Sequence, residues 1–227
     1  GYVCWASVAA KHLEAVSGLT QGFDRFSGPL TGERRAGPTV DSAMAWLPAR
    51  AGRPLFLWVH VFDAHEPYDP PPGFESAPSG NPHPLPAELM ERNSAYPDVR
   101  DALAKYRGEV QYLDRELGRL FEHFGSDAWT AVVGDHGESF GAHGYYYTHA
   151  GLYPDTLHVP LLLRGPGVPA GARVESVVPQ ADVGRTLLDL AGFDDVEFPG
   201  QNLLVQLAEQ APPSAAQFAL HANGLEA

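Results

Sequence analysis

Apolar residues fall along the chain in two rhythms: short runs and one long periodic stripe. Gly1 to Ala10 reads as a buried strand or the approach to one. "PLFLWVHVF", Pro54 to Phe62, is a second short run. Its length and its glycine and proline flanks favour a strand. "WTAVV" (Trp129 to Val133), "VPLLLRG" (Val159 to Gly165), Val174 to Val178 and "AAQFALHA" (Ala215 to Ala222) read the same way. By contrast, Val99, Leu103, Tyr106, Val110, Leu113, Leu117, Leu120 and Phe124 recur at alternating spacings of four and three. That stripe predicts a long helix, opened by Pro97 and stopped by Gly125. Shorter helices are predicted over Val40 to Ala49, with Thr39 as N-cap, and over Ala181 to Gly192. Leu19 to Phe26 is glycine-broken loop. Asp63 to Pro97 holds nine of the 21 prolines and reads as irregular chain; structureless stretches of that length tend to be functional lids or disordered. No internal repeat is present.

Strands alternating with helices predict an α/β fold, a mostly parallel mixed sheet between helices. Runs such as Leu161 to Leu163 fit strands buried on both faces. The 227 residues suffice for one core with a small appendage. The expectation is one domain over 1–227, with 193–227 as the start of a C-terminal subdomain. The chain opens on Gly1 without a charged-then-apolar leader, so the domain is expected to be N-terminally incomplete. The longest apolar run, Leu55 to Val59, continues past His60 only to Phe62. A membrane helix needs about 20 apolar residues.

Composition narrows the function classes. Hydrophobic residues make up 44% and charged residues 19%, the balance of a globular chain. The net charge of −13 and the lack of any basic stripe argue against a nucleic-acid partner. A single cysteine excludes an internal disulfide and a cysteine-based zinc site. That residue, Cys4, lies in "CWASV", which partly imitates C-x-[PA]-x-R, the motif whose cysteine becomes formylglycine. Val8 stands at the arginine position, so Cys4 reads as a buried small residue.

Two strands end in the same chemistry. Pro54 to Phe62 runs into "DAHEPY" (Asp63 to Tyr68), and Trp129 to Val133 runs into "GDHGE" (Gly134 to Glu138). Open α/β sheets bind ligands at the carboxyl ends of their strands. With both strands parallel, Asp63, His65, Asp135 and His136 would converge on one edge. Asp135 offers a hard oxygen and His136 an imidazole nitrogen to one cation, and Gly134 and Gly137 allow a close turn. The same turn also reads as an aspartate capping a helix that starts near Glu138. Two ligands are in any case too few for magnesium or calcium, which take about six or more. His65, on a proline-stiffened loop, reads as a proton donor to a leaving oxygen or as a loop histidine bonded to backbone. His143 and His149 could carry charge towards an anionic substrate beside the aromatic "YYYTH", or pack within an aromatic patch. His60 and His158 read as structural, Asp114 as solvated or ion-paired, and His83, His123 and His221 as surface residues.

Several segments, in order, resemble the sulfatase family of the alkaline phosphatase superfamily. "FLWVHVFDAHEPYDPP" (Phe56 to Pro71) is similar to its H-x-F-D-x-H-x-P-Y signature. "GDHGESFGAHG" followed by "LYPDTLHVPLLLRGPGV" is similar to its second metal motif and following strand. "QADVGRTLLDLAG" (Gln180 to Gly192) is similar to a family helix, and Gly1 to Phe26 to the segment after its nucleophile region. The resemblance implies an alkaline-phosphatase-like sheet and a metal-dependent hydrolase of sulfate esters, small-molecule or glycan. The superfamily alternatives are a phosphodiesterase, a phosphonate monoester hydrolase or a phosphoglycerol transferase; outside enzymes, a non-catalytic binding domain on this fold. It implies Asp135 and His136 as metal ligands, for one divalent ion, calcium first and manganese or magnesium after it. It implies catalytic roles for His65 and for His149, which stands near the family's substrate-binding lysine. Lys11 and His12 fall near its K-x-H segment and, with His143, are substrate-binding candidates. The formylglycine nucleophile and the first metal aspartates are expected upstream of Gly1, so residues 1–227 alone are expected to show little or no activity. Neither compartment nor oligomeric state is assigned by the pattern.

Overall fold

Six residues of near-continuous apolar character, Val3–Val8 (β1), form the middle of a three-stranded parallel sheet. Arg25–Ser27 (β2) pairs on one side and Leu55–His60 (β3) on the other, in register from Val3 opposite Leu55 to Val8 opposite His60. The computed structural model describes residues 1–13, 17–91, 93 and 95–209. These belong to two units, Gly1–Phe124 and Gly125–Ala227, taken in turn below.

In the first unit, Ala36–Trp46 (α1) lies against β1. Ala6, Val8, Ala36, Val40 and Ala43 are fully buried, the small side chains letting helix and strand approach closely. Trp46 closes this contact edge-on to Trp5, with ring centroids 6.1 Å apart. Burying Val8 and Val40 stabilises the unit by about 1.5–3 kcal/mol each. The helix starts earlier than the sequence pattern predicts. Thr39 is buried inside it, its hydroxyl donating to the Arg35 carbonyl at 2.9 Å. The cap comes from far along the chain: Asp63 Oδ2 accepts the Ala36 N–H at 2.6 Å. Val99–Phe124 (α2) follows the predicted helix closely. Its start is fixed by Asp98, which accepts the Arg100 N–H and holds the Arg100 guanidinium; that guanidinium bond draws the Asp98 carboxyl down to about 2. Its buried face differs from prediction. Val110 is 40% exposed, whereas Gly108, Glu109, Tyr112 and Glu116 are buried. Asp114 is exposed, as its reading required.

In the second unit, Thr130–Val133 (β4) pairs antiparallel with Leu161–Arg164 (β7). A hairpin of Ser139–Phe140 (β5) and Tyr146–Thr148 (β6) and a one-turn helix, Pro154–Leu157 (α3), fill the connection. No packed crossover helix stands there to make the pair parallel. Leu162 is 64% exposed, so β7 is not buried on both faces: a two-stranded ladder leaves its outer face open. Val174 to Val178 forms no strand; Val177 is 70% exposed in the bends before the next helix. Gln180–Leu190 (α4) matches its prediction and packs with Leu203–Glu209 (α5) through buried Asp182, which accepts the Gln206 side-chain amide at 3.1 Å. The strand predicted over Ala215 to Ala222, and His221 with it, lie outside the described residues. No helix among the described residues is long and apolar enough to cross a membrane.

Candidate active-site segments

The first segment leaves the carboxyl end of β3. Phe62 stacks on His65, with ring centroids 4.4 Å apart and 23° between planes. His12, in the short 3-10 turn Lys11–Leu13, meets the same phenylalanine edge-on, 6.3 Å from the Phe62 ring. The structure thus gathers His12, Phe62 and His65, with Lys11 exposed beside His12. His65 Nδ1 lies 2.6 Å from the Glu66 carbonyl oxygen. A carbonyl only accepts, so Nδ1 carries hydrogen and Nε2 is the other ring nitrogen.

Asp63 is committed to α1. Besides capping Ala36, it is partly buried, and that burial pushes its carboxyl above the usual range, the Ala36 bond opposing the shift. Arg35 reaches Asp69 twice, to its carbonyl at 2.7 Å and its carboxylate at 2.6 Å. Tyr112 accepts the Gly37 N–H through its hydroxyl at 2.8 Å. Cys4 lies in β1, half-buried; burial, with Asp24 nearby, pushes its thiol upwards, away from nucleophile chemistry.

The second segment is the turn after β4. Asp135 Oδ1 accepts the His136 N–H at 3.0 Å, while Oδ2 stands 3.9 Å from His136 Nε2. His136 Nδ1 faces the Gly137 carbonyl at 2.8 Å; a carbonyl only accepts, so Nδ1 carries hydrogen and Nε2 is the ring nitrogen that can serve as a ligand when the imidazole is neutral. A carboxylate oxygen and an imidazole nitrogen therefore stand 3.9 Å apart at one turn. The Asp135 side chain is 80% exposed, open to such an ion. The helix-cap alternative is not seen: β5, not a helix, begins at Ser139. His149 stacks on His136 with centroids 4.0 Å apart, so it joins the Asp135–His136 pair. His143, at φ 56°, stacks instead on Tyr153 at 3.9 Å, with Tyr145 close by. His60 sits among Trp58 and Phe62, as a structural histidine would.

Three backbone anchors hold this turn. Gly137 N–H donates to Thr156 O at 2.8 Å, Gly134 N–H to Pro160 O at 3.1 Å, and the Gln180 side-chain amide to Gly134 O at 2.7 Å. Gln180 was not singled out by sequence, although it opens the "QADVGRTLL" segment. A Cβ on Gly137 would stand 2.1 Å from the Asp155 carbonyl oxygen. Gly137→Ala is therefore expected to destabilise the protein by about 1–3 kcal/mol and to weaken metal binding with it, read by denaturant unfolding and metal titration.

The profile of the family described as Sulfatase matches residues 19–193. Arylsulfatase K of Bos taurus is 39% identical over 88 residues, which cover 38% of this chain and 15% of that protein. The solved phosphonate monoester hydrolase of Agrobacterium radiobacter superposes with a TM-score of 0.72 at 19% identity, over 96% of this chain and 61% of that one. A structure in complex with its substrate D-glucosamine-2-N,6-O-disulfate matches with a TM-score of 0.67 at 17% identity, over 95% and 64%. Both structural likenesses establish the α/β architecture. The chain spans under two thirds of either solved protein and 15% of the bovine relative.

Proposed function

Since the chain belongs to the sulfatase family, we propose that its protein is a divalent-metal-dependent hydrolase of sulfate esters, with a small molecule or glycan as the organic part. The observation that carries this reading is the Asp135–His136 turn. One carboxylate oxygen and one imidazole nitrogen lie 3.9 Å apart, and the Gly137 carbonyl fixes the imidazole tautomer. The carboxylate suits calcium, manganese or magnesium alike, and it is the family resemblance that puts calcium first.

When bound, the ion supplies Lewis-acid stabilisation of charge on the ester's non-bridging oxygens. The chain's residues do the rest. Asp135 and His136 hold their side of the ion. His149, against His136, offers a cationic or hydrogen-bonding partner for the sulfate. His65 protonates the departing alcohol through Nε2, its Nδ1–H anchored on the Glu66 carbonyl. His12, beside Phe62, with Lys11 next to it, and His143, stacked on Tyr153, are the substrate-binding candidates of this reading. The nucleophile of this reading is formylglycine, a role not assigned to Cys4, whose thiol burial pushes upwards. The enzyme bound to D-glucosamine-2-N,6-O-disulfate supports a sulfated sugar as substrate class.

The test is a pair of assays on the intact protein with matched aryl sulfate and aryl phosphonate esters. The reading expects kcat/KM for the sulfate to exceed that for the phosphonate by at least about 100-fold, equivalent to about 2.7 kcal/mol. A reversed ratio would move the protein to the phosphonate hydrolases that share its fold.

A further inference from the structure

Midway along α2, on the buried face that the hydrophobic pattern scores as solvent-facing, sits a carboxylate. Glu109 is only 5% exposed. Its Oε2 accepts the Ala64 N–H at 3.2 Å and its Oε1 accepts the Asp69 N–H at 2.9 Å. These two amides bracket His65, one residue before it and four after. Ala64 also has φ 76°, a left-handed backbone that a side chain disfavours, so its conformation must be held from outside. The helix is shaped for the contact: a Cβ on Gly108 would stand 2.2 Å from the Phe74 carbonyl oxygen and 2.9 Å from Pro70. Gly108 thus lets the proline-rich chain lie directly on α2, beside Glu109.

We propose that Glu109 is a positioning residue for His65: its ionised carboxylate, holding the Ala64 and Asp69 amides, sets the place from which the imidazole meets the leaving oxygen. This rests on the role given to His65 above. An isolated buried carboxylate is costly, and a hydrophobic residue here would pack at less cost. Both of its oxygens are instead spent on the one loop that carries the proposed acid. A carboxylate can accept two N–H groups at once. A carboxylic acid must turn one oxygen into a donor, which loosens one end of the clamp.

The surroundings set the pH at which this happens. Asp63 and Asp69 face Glu109 from the loop, Arg35 from the start of α1, and Tyr96 from the proline-rich segment. Burial, first, and the Asp63 charge raise the carboxyl to about 7, against the two amide bonds and Arg35. The clamp is therefore complete above about pH 7 and weakens as the pH falls through that value.

The experiment uses the intact protein, wild type and Glu109→Gln, which keeps shape but presents an amide N–H₂ to one of the two donors. A misplacement of the acid predicts a kcat lower by about 10- to 100-fold with KM little changed. It also predicts loss of the acid limb near pH 7 from the kcat/KM profile and faster hydrogen exchange at Ala64 and Asp69. Should the variant not fold, the wild-type amide resonances of Ala64 and Asp69 carry the test. They are expected to titrate together with an apparent midpoint near 7, and flat resonances would overturn the inference. Wild-type kcat and an unchanged acid limb in Glu109→Gln, alongside an inactive His65→Ala, would also overturn it and leave the function intact. An active His65→Ala would instead remove the reading on which it rests.

Discussion

Replacing His65 with alanine is expected to lower kcat on an alkyl sulfate by about 10²–10⁴-fold, while an ester of a strongly acidic phenol is hydrolysed nearly as fast as before. The two substrates separate acid catalysis from binding. An alkoxide is a poor leaving group and needs a proton in the transition state; a nitrophenolate does not. The geometry supports this division. Nδ1 is tied to the Glu66 carbonyl at 2.6 Å and the ring is held against Phe62, so Nε2 is presented in a fixed orientation. If His65 were only a loop histidine bonded to backbone, the variant would lose stability and both substrates would slow alike. Equal losses on the two esters would therefore contradict the assigned role.

Asp135→Ala is expected to reduce divalent-metal affinity by more than about 100-fold. Altering a group that merely orients a metal ligand costs 10–100-fold, and this change removes a ligand and a formal charge. The side chain is 80% exposed, so the substitution opens no cavity and the fold should persist. Asp135→Asn is the matched control: it keeps the shape and an oxygen donor and should retain part of the affinity. Metal content after dialysis, measured by elemental analysis beside the unfolding midpoint of the metal-free protein, reads the effect. Wild-type metal content in Asp135→Ala would remove this residue from the site.

Most elements were legible in the sequence because they follow local rules. β1, β3, β4 and β7 lie within apolar runs bounded by turn residues, and α2 runs between Pro97 and Gly125 as its stripe required. What the sequence concealed were contacts made over long separations. α1 begins at Ala36 because Asp63, 27 positions away, caps it. The inward face of α2 carries Gly108, Glu109 and Glu116, which a hydrophobic pattern scores as solvent-facing, so Val110 was placed inside in their stead. Val174 to Val178 has strand composition but no partner strand among the described residues.

The candidate site divides in the same way. The histidines and Asp135 stand out in sequence because imidazoles and carboxylates cluster at strand ends, and family resemblance then gives them roles. Glu109 and Gln180 do not stand out. Each acts on the backbone of a segment 40 or more positions away, Glu109 on Ala64 and Asp69, Gln180 on Gly134. Their signal is slight: a carboxylate at the flank of an apolar helix stripe, buried where pattern expects solvent, and an amide opening a helix without capping it. Such departures from pattern concentrate where a protein holds functional groups in place.

The central claim is that the turn after β4 holds a divalent ion through Asp135 and His136. Its most direct measurement is anomalous diffraction from crystals of the intact protein grown with manganese. The account predicts one strong anomalous peak bonded to both Asp135 Oδ2 and His136 Nε2. A peak elsewhere, with neither atom among its ligands, would contradict it.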